Sequence, residues 1–251
     1  MAKIRLAVGL ILLLSLLGSS TPAIATPGVV KWSGVNIPTE GESGNWVLAS
    51  GSDVQHLTMA IDGSLYCYAK PSGTSYTLFK STDGGYSWSY TGRVKDDIVD
   101  IAIAPDDASV IYYATSSAVY KSTDAGSSFT PLPPNPGGAG TDNLTIISID
   151  VARPDGNSTI AVGTRDADSW QYGGVYTLDE SEPLTWIDTG VGNYDIYAVA
   201  FSPNFATDQQ LVAVVTDETD TFVTTKIGDG DWGETIGDAR LDKDNSGTPT
   251  L

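Results

Sequence analysis

One cysteine and one histidine are all that this 251-residue chain offers for thiol or imidazole chemistry. Cys67 has no second cysteine for an intrachain disulfide, and a catalytic thiol would have only His56 as its base. Tyr66 and Tyr68 flank it and alternate with Leu65 and Ala69, which marks it as an inert strand residue. Positive charge is also scarce: 13 Lys and Arg face 31 Asp and Glu, for a formal net charge of −18. That excess argues against nucleic acid and anionic membrane surfaces as partners. Beyond the N-terminus no apolar run approaches the ~20 residues that span a bilayer, so no membrane insertion of the mature chain is expected. Helical periodicity is missing from the same region, and short alternating runs take its place.

The one long apolar run is at the start. Lys3 and Arg5 precede Leu6 to Leu17, and Ala23-Ile24-Ala25 offers a small-residue cleavage site. This is the layout of a secretory signal peptide over residues 1–25, with no neighbouring cysteine for a lipid anchor. The chain is therefore expected to be secreted, extracellular or at the cell surface. An extended segment, 26–53, follows; it is rich in Gly, Pro, Ser and Thr and carries Trp32 and Trp46.

What the chain has in abundance is repetition. Phe79-Lys80-Ser81-Thr82-Asp83-Gly84-Gly85-Tyr86-Ser87-Trp88 returns as Tyr120-Lys121-Ser122-Thr123-Asp124-Ala125-Gly126-Ser127-Ser128-Phe129. Pro105, Pro154 and Pro203 each follow the first strand of a unit and are evenly spaced. Short β-rich runs such as Leu65 to Ala69, Val110 to Thr115 and Leu211 to Val215 lie between turn signals. A period of about 40–50 residues with three or four strands per unit is the pattern of propeller blades. The expected fold is all-β: a propeller-like array of about four four-stranded blades over 54–236, incomplete or part of a larger propeller. The blades divide at about 54–95, 96–140, 141–192 and 193–236, and 237–251 reads as a polar tail or linker.

The repeated motif has a physical logic as a turn. A tight hairpin leaves backbone N–H groups without ladder partners; an Asp carboxylate accepts them, Ser or Thr hydroxyls add more bonds, and Gly allows positive φ. The closing aromatic, Trp88 or Phe129, is expected to pack into the interior. The pattern Ser-x-Asp-x-Gly-x-Ser-aromatic resembles the Asp-box, or bacterial neuraminidase repeat, through Ser81, Asp83, Gly85, Ser87 and Trp88. It does so again through Ser122, Asp124, Gly126, Ser128 and Phe129. The third and fourth units keep Asp179 and Asp229 and a later Trp, but not the glycine spacing. The resemblance implies that these carboxylates are structural and lie away from the binding face, so Asp83 and Asp124 are given no catalytic role.

Asp-box families include sialidases, xyloglucan-cleaving hydrolases, sortilin-type receptors and photosystem II assembly factors. Sialidases grip a substrate carboxylate with three arginines and carry an Arg-Ile-Pro-like motif. Past the leader this chain has Arg93, Arg153, Arg165 and Arg240, none in such a motif. The assembly-factor group implies a protein-binding scaffold, but its basic patch has no counterpart in so acidic a chain. A glycosidase needs two carboxylates ~5–10 Å apart, and no pair stands out, so no catalytic residue is assigned.

Of the remaining tryptophans, Trp32, Trp46, Trp186 and Trp232 are possible stacking platforms or shields of a blade edge. Trp170, in the loop Asp166–Tyr172, looks most like an exposed contact, with Tyr172 beside it. Asp242, Asp244 and Ser246, followed by Gly247, match the first half of a calcium loop, although a polar linker explains them too. Calcium is thus the one cofactor considered. The expected function is a non-enzymatic module that binds a protein or a glycan. The alternatives are an extracellular glycoside hydrolase and a structural surface-layer or adhesion module, and an open blade edge invites self-association.

Overall fold

The computed structural model describes residues 50–91, 94–95, 97–234 and 239–241. The stretch 1–25 read as a signal peptide, Trp32, Trp46 and the calcium-type residues Asp242, Asp244 and Ser246 lie outside them.

Four antiparallel sheets of four strands follow one another along the chain, each a meander in sequence order. The first holds β1 (Asp53–Met59), β2 (Leu65–Lys70), β3 (Thr77–Ser81) and β4 (Ser89–Tyr90); the second holds β5 (Asp100–Ile103), β6 (Ile111–Ala114), β7 (Val119–Ser122) and β8 (Thr130–Pro131). The third holds β9 (Leu144–Ala152), β10 (Thr159–Asp166), β11 (Gly174–Asp179) and β12 (Ile187–Asp188). The fourth holds β13 (Asp195–Phe201), β14 (Gln210–Thr216), β15 (Thr221–Ile227) and β16 (Ala239–Arg240). β16 falls inside the stretch read as a polar tail, so the fourth blade runs past residue 236. One turn of helix, Phe205–Asp208, departs from the all-β pattern.

Strand alternation sends successive side chains to opposite faces, and each face meets a different neighbouring blade. In β10, Ile160 and Val162 join the cluster shared with Tyr112 and Val119 of the second blade, whereas Ala161 joins Ile196, Leu211 and Val215 of the fourth. Between the first two blades Tyr66, Tyr68 and Leu78 meet Ile101, Ile111 and Tyr113. The core is therefore three slabs, one per blade junction. The innermost strands pack in file, β1 beside β5, β5 beside β9 and β9 beside β13. Among the described residues no packing of like extent returns from β13 to β1. The array is an incomplete propeller.

One expectation is corrected here. Trp88 does not enter the interior: it is 41% exposed and donates its Nε1–H to the Gly85 carbonyl at 3.0 Å. Phe129 does enter, packing edge-on to Tyr113 with ring centroids 4.8 Å apart. The difference is in what lies alongside. The second blade has the first to lean on, whereas no described blade covers the corresponding face of the first.

Candidate functional site

The two ends of the array carry different sets of loops. At one end lie the β1–β2-type turns and the repeated motif; the Ala125 N–H donates to Ser109 O across these loops at 3.0 Å, and the Tyr66 hydroxyl donates to Ala125 O at 3.3 Å. The two motif copies are superimposable in their bonding. Ser81 Oγ donates to Asp83 Oδ1 at 2.8 Å and accepts the Gly85 N–H at 2.9 Å. Ser87 gives its N–H to Asp83 Oδ1 at 2.9 Å and its hydroxyl to Oδ2 at 2.5 Å. Ser122, Asp124, Gly126 and Ser128 repeat the same four bonds. Gly85 and Gly126 have φ of +92° and +84°, a region closed to most side chains. The work of satisfying the turn is thus divided between Asp and Ser rather than borne by Asp alone.

Those bonds stabilise the carboxylate form. The Ser87 and Ser128 hydroxyls, then their N–H groups, then Ser81 and Ser122, hold the pKa of Asp83 and of Asp124 down at about 2. A depressed folded-state pKa gives stability that is complete above the unfolded value of about 4 and is lost as pH falls through the folded one. Calorimetry of Asp83→Asn/Asp124→Asn should show a lower unfolding temperature at neutral pH and a shallower decline between pH 4 and pH 2 than the native sequence.

The motif lysines also have a role. Lys80 lies over the Tyr66 ring at 5.2 Å and Lys121 over the Tyr112 ring at 5.6 Å, each across a strand pair. Lys121 further bonds Glu180 of the third blade, at 2.8 and 2.6 Å, and the Tyr112 hydroxyl donates to the same carboxylate at 3.1 Å.

The β2–β3-type loops are at the opposite end. The third, 167–173, is the longest and leans on the fourth blade. Trp170 has φ +66° and is 73% exposed, with its N–H held by Glu218 Oε1 at 2.7 Å. The Tyr172 hydroxyl donates to Asp217 O at 3.3 Å; burial, then the charges of Glu218, Asp217 and Asp195, push its pKa up. Buried Asp195 accepts the N–H groups of Asp166 and Gly173 at 2.9 and 3.0 Å, which fixes both ends of the loop. At Gly173 a Cβ would fall 2.0 Å from Thr164 O, so only glycine lets the chain double back here. Asp168, which lies in the loop, and Glu218, which holds the Trp170 N–H, are both exposed and give the loop an acidic rim. The structure thus brings Trp170 and Tyr172 onto one rigid loop, while the motif residues Ser81 to Trp88 and Ser122 to Phe129 stand at the other end.

The other described tryptophans are engaged. Trp186 donates to Pro133 O of the second blade at 2.8 Å, and Trp232 to Thr189 of the third at 3.2 Å. Both are half-buried staples between blades.

Sequence reasoning missed a pair of aspartates on the innermost strands. Asp100 Oδ1 accepts the N–H of Ile101 at 2.8 Å, and its Oδ2 accepts that of Ile149 in the next blade at 3.0 Å. Asp150 does the same, taking Val151 at 2.8 Å and Phe201 of the next blade at 2.7 Å. The signal was a lone carboxylate within each apolar run, Ile98 to Ala104 and Ile146 to Ala152. Since both oxygens of each are committed to backbone donors, the pair forms braces rather than an acid and a base. Among the described residues no group of three His, Cys, Asp or Glu is placed to hold a metal ion, and no helix is long and apolar enough to cross a membrane.

No family model matches this chain, and no curated protein does. Among solved structures it is similar to YCF48 bound to D1 peptide, with 15% identity and a TM-score of 0.49 over 80% of this chain and 58% of that one. It is similar also to an ancestral GH74 enzyme, at 16% identity and 0.45, over 77% of this chain and 33% of that one. The NanB sialidase from Streptococcus pneumoniae gives 15% identity and 0.37 over 64% of this chain and 26% of that one. This chain spans less than two thirds of the length of each. The propeller assignment rests on the four sheets themselves.

Proposed function

We propose that the chain is a secreted or cell-surface, non-enzymatic propeller module of the Asp-box type, which binds a protein or glycan ligand at the end that carries Trp170. The observation behind this reading is a large aromatic ring exposed to solvent on a loop whose backbone N–H groups are held by Glu218 and Asp195 and whose Tyr172 hydroxyl is held by Asp217 O. A loop whose backbone is already held loses little backbone freedom on binding, and exposed tryptophans are enriched among interface hot spots. The acidic rim favours a basic protein segment, because complementary charge raises the association rate and rejects like-charged surfaces. A neutral glycan stacked on the indole is the second reading, since the same carboxylates accept sugar hydroxyls. The signal-peptide-like layout of residues 1–25 supports export, and the spacing of Asp242, Asp244 and Ser246 supports calcium as a ligand of the C-terminal stretch.

The test is binding of the purified chain to a glycan array and to basic and neutral peptides, with and without calcium. Trp170→Ala should weaken the interaction about 10–30-fold, the range of a single aromatic hot spot. Unchanged affinity would move the site off this loop, and release of a cleaved product would make the chain a hydrolase.

A further inference from the structure

The residue just before the outermost strand is aromatic in the first three blades: Trp88, Phe129 and Trp186. In two of them it leans on the preceding blade. Phe129 packs on the slab containing Tyr66 and Leu78 of the first blade, and Trp186 bonds Pro133 of the second. Trp88 has no described blade before it and lies at the rim of an apolar face. Strand register puts Leu57, Cys67 and Phe79 side by side on that face, with Met59 further along β1. Leu57 is 64% and Met59 68% exposed. Between Val54, Leu57, Cys67, Ala69, Phe79 and Trp88 lies a hollow of about 390 Å³ with no charged residue in its wall.

The far side of the array leaves the matching surface. In β14, Leu211, Ala213 and Val215 turn to the third blade, so Val212 and Val214 turn the other way, paired with Ala200 and Val223. Ala200 is exposed and the valines are half-buried. Every internal junction joins the onward face of one blade to the rearward face of the next, and the described array leaves one face of each kind. The outermost strands, by contrast, are two residues long, too short to template edge pairing.

We propose that the face of the first blade left uncovered among the described residues is an interface for a second copy of this chain, which seats the onward face of its fourth blade there. The contact continues the blade-to-blade stacking already made three times within the chain. It is heterologous, so copies associate head to tail rather than about a two-fold axis. The surface is distinct from the Trp170 loop, and the inference stands whether or not that loop binds a ligand.

Sedimentation velocity on the purified chain, from low micromolar to millimolar concentration, tests it. The native sequence should form concentration-dependent dimers and longer species. Leu57→Asp on one face, or Ala200→Asp on the other, should raise the midpoint concentration about 100-fold or more, because each puts a charge into an apolar contact. A mixture of the two variants keeps one good face of each kind and should give a complex that stops at two copies. Both positions are exposed, and circular dichroism verifies that each variant is folded; Met59→Glu repeats the measurement if Leu57→Asp is not. A native chain that stays monomeric throughout, or an Ala200→Asp chain that still dimerises with itself, overturns the proposal.

Discussion

Asp150→Ala should lower the unfolding free energy by about 3–4 kcal/mol, read from urea denaturation at neutral pH. The carboxylate accepts the N–H groups of Val151 and Phe201, and the second of these crosses a blade junction. Removal leaves two donors short of acceptors at about 1–3 kcal/mol each, and relief of carboxylate desolvation offsets part of that loss. Burial, the largest influence, pushes the Asp150 pKa up; the two N–H donors pull against it and the Asp100 charge adds to it. With the folded pKa above the unfolded one, the native state holds a proton that the unfolded state has released. Stability from this group therefore falls as pH rises through the window between the two values. That slope is opposite in sign to the one from Asp83 and Asp124, and Asp150→Asn should abolish it while losing only one of the two acceptors. A variant as stable as the native sequence would show that the brace contributes nothing.

Lys121→Met should cost about 3 kcal/mol, nearly all of it through the partner left behind. Glu180 is 15% exposed by side chain and Lys121 22%, so the deletion strands a mostly buried carboxylate beside the Tyr112 ring. Burial is also what raises the Tyr112 pKa most, so the phenol remains a donor and cannot replace the lost cation. Lys121→Met/Glu180→Leu should recover most of the loss, because an apolar pair of similar volume needs no compensating charge. If the double substitution is as unstable as the single one, the junction depends on packing of the lysine stem and not on the ion pair. Thermal denaturation of both variants in one buffer separates the two cases.

The periodic features were legible in the sequence because they are local. The short β-rich runs that became β2, β6 and β14 and the spacing of Pro105, Pro154 and Pro203 are enough to expect repeated four-stranded sheets. Each turn motif is also complete within eight residues, so the partners of Asp83 and Asp124 could be anticipated. Contacts across blade junctions were not legible. Ile149 lies 49 residues from Asp100, Glu180 lies 59 from Lys121 and Pro133 lies 53 from Trp186, and no local pattern announces such pairs. Trp88 was misplaced for a related reason: its motif matches that of Phe129, and only the absence of a described neighbouring blade sets the two apart. At the candidate site, the polar, small-residue loop pointed to an exposed Trp170, whereas Glu218, 48 residues away, could not be tied to it beforehand.

The aspartate braces and turn anchors also change the meaning of the chain's charge. Asp83, Asp100, Asp124, Asp150 and Asp195 all have backbone N–H groups as partners, so part of the anionic charge serves as intramolecular acceptors and needs no basic counterpart. Cohesion built this way involves few ion pairs that dissolved electrolyte can screen. Added salt would chiefly quiet repulsion between the remaining exposed carboxylates. The unfolding temperature of such a scaffold should therefore change little as the ionic strength of the buffer is raised.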